Sequence, residues 1–132
     1  MTIERAGVLR IVAACAALLF GVATIRAGGS VLFGGDVARR AAGAYVPFVL
    51  WFNFVAGFAY LVAGAALWTR RPWASALAWT IAATTAIVFA ALGVHVALGG
   101  AYEVRTVAAM ALRTAAWTGI ALVATRLGRR RA

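Results

Sequence analysis

Lysine is absent from this chain, and the acidic residues are only three, Glu4, Asp36 and Glu103. Cysteine and histidine occur once each, as Cys15 and His95, and proline twice, as Pro47 and Pro72. Each scarcity excludes something. A single cysteine cannot build a disulfide scaffold. One histidine, one cysteine and three carboxylates fall short of the three or four convergent ligands that a metal site needs, so no metal is expected. Two prolines in a strongly apolar chain exclude collagen-like repeats and disorder. No CxxC, phosphate loop or nucleophile–base pair occurs, so the chain does not read as an enzyme. No cofactor is expected either. A haem held by His95 and Met110 would require a lone histidine and a methionine that sits on a packed helix face, and such residues are more often core.

Apolar residues are what the chain has in abundance. Of its 132 residues 65% are hydrophobic and 12% charged, with mean hydropathy +0.95. A water-soluble domain carries about 45–50% apolar and about 25% charged residues, so this chain has too few polar groups to cover a soluble surface. The composition implies an all-α integral membrane protein, a four-transmembrane-helix bundle with short loops. Its length fits one transmembrane domain over residues 1–132. Arginine as the only strong base, in an Ala- and Gly-rich background, fits a GC-rich bacterial genome and hence a bacterial inner membrane.

Four spans can be placed, at residues 8–27, 46–68, 73–98 and 104–127. Each approaches the roughly 20 apolar residues that a bilayer requires. Strands are disfavoured, since no stretch alternates polar and apolar as a membrane barrel must. Pro47 and Pro72 stand at span starts, where a missing N–H is harmless. The first span is the shortest, with 15 uncharged residues between Arg10 and Arg26. Arg10 can extend its head toward the headgroups and lengthen it. A cleaved signal peptide is the rival reading, but Arg26 is unfavourable near a small-residue cleavage site. Val12-Ala13-Ala14-Cys15 looks like a lipobox, though too close to Arg10. Residues 36–44, beginning at Asp36, read either as a short interfacial helix capped by that residue or as a solvated loop.

Charge distribution orients the chain. The net charge of +10 and pI near 11.8 would suggest nucleic acid in a soluble protein. Here the arginines flank the spans, and no basic–aromatic surface is left for nucleic acid. Eight of them (Arg5, Arg10, Arg70, Arg71, Arg126 and Arg129 to Arg131) fall on the side of the termini, against Arg26, Arg39, Arg40 and Arg105 on the other. Positive charge is retained in the cytoplasm, so both termini are expected there.

Arg113 remains, in the middle of the fourth span. A charge at that depth costs about 2.5–3.5 kcal/mol on insertion scales and rarely faces lipid. Glu103, Thr106, Met110, Arg113, Trp117, Ile120 and Ala124 recur at three- and four-residue spacing and share one seam. Glu103 and Arg113 are about 15 Å apart along the helix, too far for a direct pair unless both side chains extend fully. Asn53, His95, Tyr102 and Thr106, with Thr84 or Thr85, fall in the same half of the bundle. Arg113, Glu103, His95, Asn53, Tyr102 and Thr106 are thus the candidate polar cluster. It can be structural glue, a contact for a partner protein, or a ligand or proton site. Small residues at Ala13, Ala17 and Gly21, and at Gly57 and Gly64, mark faces where backbones can approach closely.

The plan of the chain resembles small bacterial four-helix membrane proteins of the DoxX-like kind. The likeness rests on size, four spans and Leu9-Arg10-Ile11 leading to Gly21. The lysine that this kind carries shortly after that glycine is missing, so the resemblance implies the fold and no functional residue. Two functions stay open. The leading one is an accessory or assembly component of a membrane complex. The other is a small oligomeric transporter or redox-linked protein that binds an anion, a quinone-like molecule or a proton. The expected partners are the lipid bilayer and other membrane subunits or further copies of the chain. Reporter fusions at the C-terminus and after Gly35 should report cytoplasm and periplasm respectively, and a periplasmic C-terminus would overturn the four-span topology.

Overall fold

The computed structural model describes residues 2–131. Their helices are α1 (Ile3–Phe33), α2 (Asp36–Ala42), α3 (Pro47–Trp68), α4 (Ala74–Ala97) and α5 (Val104–Arg129). All but α2 are long and apolar enough to cross a membrane.

Local chemistry sets most of the helix ends. α1 starts where the Thr2 hydroxyl accepts the Arg5 N–H at 3.3 Å. It runs without a break through Arg10 and Arg26, because a charge on a helix surface costs no backbone hydrogen bond. Its 31 residues correspond to about 46 Å at 1.5 Å rise per residue, so α1 extends well past the apolar stretch between its arginines. α2 is helical, but Asp36 does not cap it. Gly35 holds the cap position with φ 84°, no side chain bonds the freed N–H groups, and Asp36 sits inside the first turn. A carboxylate there still interacts favourably with the positive end of the helix. Pro47 opens α3 at its first turn. α3 closes with the Arg71 N–H on the Ala66 carbonyl at 2.8 Å and Arg70 at φ 58°. That left-handed position is one that glycine usually takes.

α1 and α3 form one closely packed antiparallel pair and α4 and α5 another; α3–α4 and α1–α5 contacts join the two pairs. The α1–α3 seam is made of small residues. A Cβ added at Gly21 would lie 2.8 Å from Leu61 Cδ2 and 3.0 Å from the Gly57 carbonyl oxygen. One added at Gly57 would lie 2.7 Å from Ile25 Cγ1, and one at Gly64 2.8 Å from Leu18 Cγ. Ala13, Ala14 and Ala17 are buried along the same face. The α4–α5 pair is tied by the Trp79 indole N–H, which donates to the Thr125 hydroxyl at 2.9 Å.

The larger core cluster places Tyr60 and Trp117 among alanines of all four long helices, and a smaller one joins Val46, Val49, Leu92 and Met110. Met110, Trp117, Ile120 and Ala124 are all buried, so the α5 seam does face inward. Hydroxyls of Thr80, Thr84, Thr85, Thr114 and Thr118 bond carbonyls of their own helices. This leaves those hydroxyls satisfied wherever they point. The outward faces carry large apolar side chains such as Leu19, Val55, Ile87 and Leu112, all well exposed. Cys15 is exposed too.

The α1–α3 seam yields a contrast of sign. Gly21→Ala should lower the stability of detergent-solubilised protein by about 1–3 kcal/mol, because overpacking forces the helices apart. Gly119→Ala, with nothing within 4 Å of the added methyl, should raise it by up to about 1 kcal/mol through helix propensity. Thermal unfolding of both variants checks the pair.

Candidate functional site: a groove around Arg113

Arg113 lies nine residues past Val104, the start of α5, and is half-buried. Helical geometry directs its side chain back toward the α5 N-terminus. There it meets α1. One terminal guanidinium N–H donates to the Thr24 hydroxyl at 3.4 Å, and the guanidinium carbon lies 5.9 Å from the centre of the Phe20 ring. Thr24 is itself buried. Both of these partners are neutral. The Arg113 Nε is buried and without a hydrogen bond.

Aromatic rings form the layer beneath it. Tyr60 stacks on Trp117 with centroids 4.7 Å apart, and Phe20 meets Tyr60 edge-on at 6.1 Å. The Tyr60 hydroxyl and the Trp117 indole N–H are buried without hydrogen bonds, and Tyr60 lies among Arg113 and Thr85. On α3, two turns nearer the helix start, the Asn53 Oδ1 is likewise buried and unpartnered. Buried polar atoms are normally hydrogen-bonded. Four such atoms, on Asn53, Tyr60, Arg113 and Trp117, are therefore unusual for one small bundle.

Arg113 and Asn53 line a groove of about 470 Å³ that opens between α1, α2, α3 and α5. Thr24, Tyr45, Glu103 and Thr106 line it as well. Its rim is built by the first residues of α5. The Glu103 carboxylate accepts the Ala44 N–H at 2.8 Å, and the Arg105 guanidinium donates to the Ala42 carbonyl at 3.2 Å and more weakly to that of Ala41 at 3.5 Å. These carbonyls end α2 and have no helical partner of their own. A cation at this end also suits the helix dipole. At the other side of α2, Arg39 donates to the Leu32 carbonyl near the end of α1 at 3.3 Å. The short helix is thus held from both directions over the groove.

Of the six residues expected to cluster, Arg113, Glu103, Asn53 and Thr106 line this groove. The other two lie elsewhere. His95 Nε2 bonds the Ala101 carbonyl at 2.9 Å and its ring meets Phe48 edge-on, so it braces the α4–α5 turn. Tyr102 lines a separate apolar depression with Phe89, Leu92 and Val107. Thr84 is exposed, whereas Thr85 is buried. Glu103 is turned to the loop, not toward Arg113. Sequence spacing does not point to Thr24, Tyr45, Phe20 or Tyr60. Phe20 and Thr24 fall one turn apart on α1, but nothing in the sequence says that α1 is the neighbour of Arg113. Comparison with protein-family models, with curated proteins and with solved structures finds no match for this chain.

The clamp on α2 is testable by a double-mutant cycle. Gly43 has φ 71°, and a Cβ there would collide with the Glu103 carboxylate. Gly43→Ala should destabilise by about 1–3 kcal/mol through backbone strain and that collision. Glu103→Ala should cost about 1 kcal/mol by freeing the Ala44 N–H. The double variant should fall short of the sum by about 0.5 kcal/mol or more, since the collision needs the carboxylate. Additive losses in thermal unfolding would show that the two do not meet.

Proposed function

We propose that the four long helices span a bacterial inner membrane with both termini in the cytoplasm, and that the protein binds a small anionic or polar-headed molecule in the Arg113 groove. The membrane reading draws on the apolar side chains exposed around all four long helices, which lipid would cover. The groove then lies in the periplasmic half of the bilayer.

One observation carries the ligand reading. The Arg113 guanidinium has only neutral neighbours in the bundle, the Thr24 and Tyr60 hydroxyls and the Phe20 ring, and the residue lines an open groove. An isolated interior cation is costly, so a carboxylate, a phosphate or a strongly polarised carbonyl is the complement that the site lacks. The planar guanidinium suits such a group, holding it with paired N–H donors. The amide of Asn53 adds a neutral donor or acceptor, and the apolar remainder of the groove accommodates a tail. The alternative, an accessory subunit of a membrane complex, draws on a different feature: the Thr24 bond and the Phe20 contact also give Arg113 a purely structural task.

Substitutions at Arg113 separate the two. Arg113→Leu should leave membrane insertion intact or improved, since it removes a charge from the span. Binding of decanoate, followed by thermal shift in a neutral detergent, should weaken by about 10–100-fold, the value of a charge-assisted hydrogen bond. Arg113→Lys should recover only part of it, because a point charge does not reproduce the fork. Equal decanoate response in all three proteins, together with loss of co-purifying subunits in Arg113→Leu, would replace the ligand reading by the accessory one.

A further inference from the structure

The opposite end of the molecule holds a second site, independent of the Arg113 groove. Here α1 begins, α3 turns into α4, and α5 ends. Arg10 from α1, Arg70 and Arg71 from the turn, and Arg129 and Arg131 from the end of α5 line one pocket of about 390 Å³. None of the described residues lining it is acidic. Five guanidiniums gathered from three parts of the chain repel one another, and such a concentration of one sign in a cleft raises the local affinity for anions.

Two details show that the cations are held there against resistance. Arg70 occupies the left-handed backbone position that closes α3, at φ 58°, where glycine would fit without strain. Its carbonyl is tied by the Arg131 guanidinium at 2.8 Å, which draws the end of α5 over the turn. The Arg10 Nε is buried and makes no hydrogen bond, although the rest of that side chain reaches the pocket. Backbone strain retained at a charged residue points to a function of the charge. The walls between the arginines are apolar, from Ala66, Leu67 and Leu127.

We propose that this pocket binds an anion that carries two phosphate groups. Arginine pairs bidentately with phosphate oxygens, and five guanidiniums exceed what one singly charged phosphodiester can neutralise. The ligand class is therefore an anion with two phosphate groups, supplied either by a lipid headgroup with two phosphodiesters, whose glycerol and first methylenes rest on the apolar walls, or by free pyrophosphate. Basic pockets between spans at the cytoplasmic face take lipid headgroups of this kind.

The position of Arg70 supplies an unusual test. Arg70→Gly relieves the strain and should hold or raise the unfolding temperature, yet it removes one of the five cations. Native mass spectrometry of detergent-purified protein titrated with diphosphatidylglycerol should show about fivefold weaker binding for Arg70→Gly and for the surface variant Arg71→Gln. Arg126→Gln, at the same end but outside the pocket, should stay within about twofold of the parent, because only long-range charge is lost there. The same four proteins titrated with inorganic pyrophosphate distinguish the source. Retention of the lipid alone assigns a headgroup site, and binding of pyrophosphate in the same variant order assigns a soluble anion. Binding of neither probe, or an Arg126→Gln loss equal to that of Arg70→Gly, would overturn the proposal.

Discussion

The close approach of α1 and α3 is the constraint on which the rest depends. Gly21 and Gly57 face each other so tightly that either Cβ would strike the opposite helix. Without side chains between them, the two backbones present Phe20 and Thr24 on one side and Asn53 and Tyr60 on the other. α5 then lays Arg113 across that wall. In lipid no hydrophobic gain drives one helix onto another, so backbone contact through small residues is what association relies on. The seam thus serves the site as much as the fold.

The two ends of the molecule use arginine differently. Near α2, Arg39 and Arg105 each terminate a helix by donating to its last carbonyls, and Glu103 satisfies the next free N–H. Those charges are absorbed by the backbone, and the rim of the groove is rigid because of them. At the end of the bundle where α1 begins and α5 finishes, the arginines share a pocket that no acidic side chain among the described residues lines. One arrangement closes a structure and the other leaves charge to be neutralised. Arg113 belongs with the second kind: its neighbours are neutral, and the residue lines the groove.

Much of the site is visible in the sequence as a set of residues but not as a place. The three- and four-residue spacing from Glu103 to Ala124 identifies the inward face of α5, and Met110, Trp117, Ile120 and Ala124 are indeed buried. Asn53 matches Arg113 by height alone, counted along two antiparallel helices, and both line one groove. His95 and Tyr102 satisfy the same count yet lie elsewhere, since rotation about the helix axis decides which way a residue faces and height says nothing about rotation. His95 is taken up by the Ala101 carbonyl six residues on. That local bond competes with any site across the bundle, and it depends on how the Gly99-Gly100 turn folds.

By itself the sequence determined the properties that composition and period carry. Sparse charge and long apolar runs specified four helices able to cross a membrane, and proline and glycine marked their breaks. An arginine amid an apolar run announced that one span had an interior to face. These signals are local, because backbone hydrogen bonding within a helix involves residues only four apart. The tertiary structure decided which helix faces which. That α1 supplies Thr24 and Phe20 to Arg113, that Glu103 turns to the α2 loop, and that five arginines from three segments share one pocket all rest on the order of helices around the bundle. Several orders bury similar apolar area, so the choice falls to close steric fit at Gly21, Gly57 and Gly64, which no count along the chain contains.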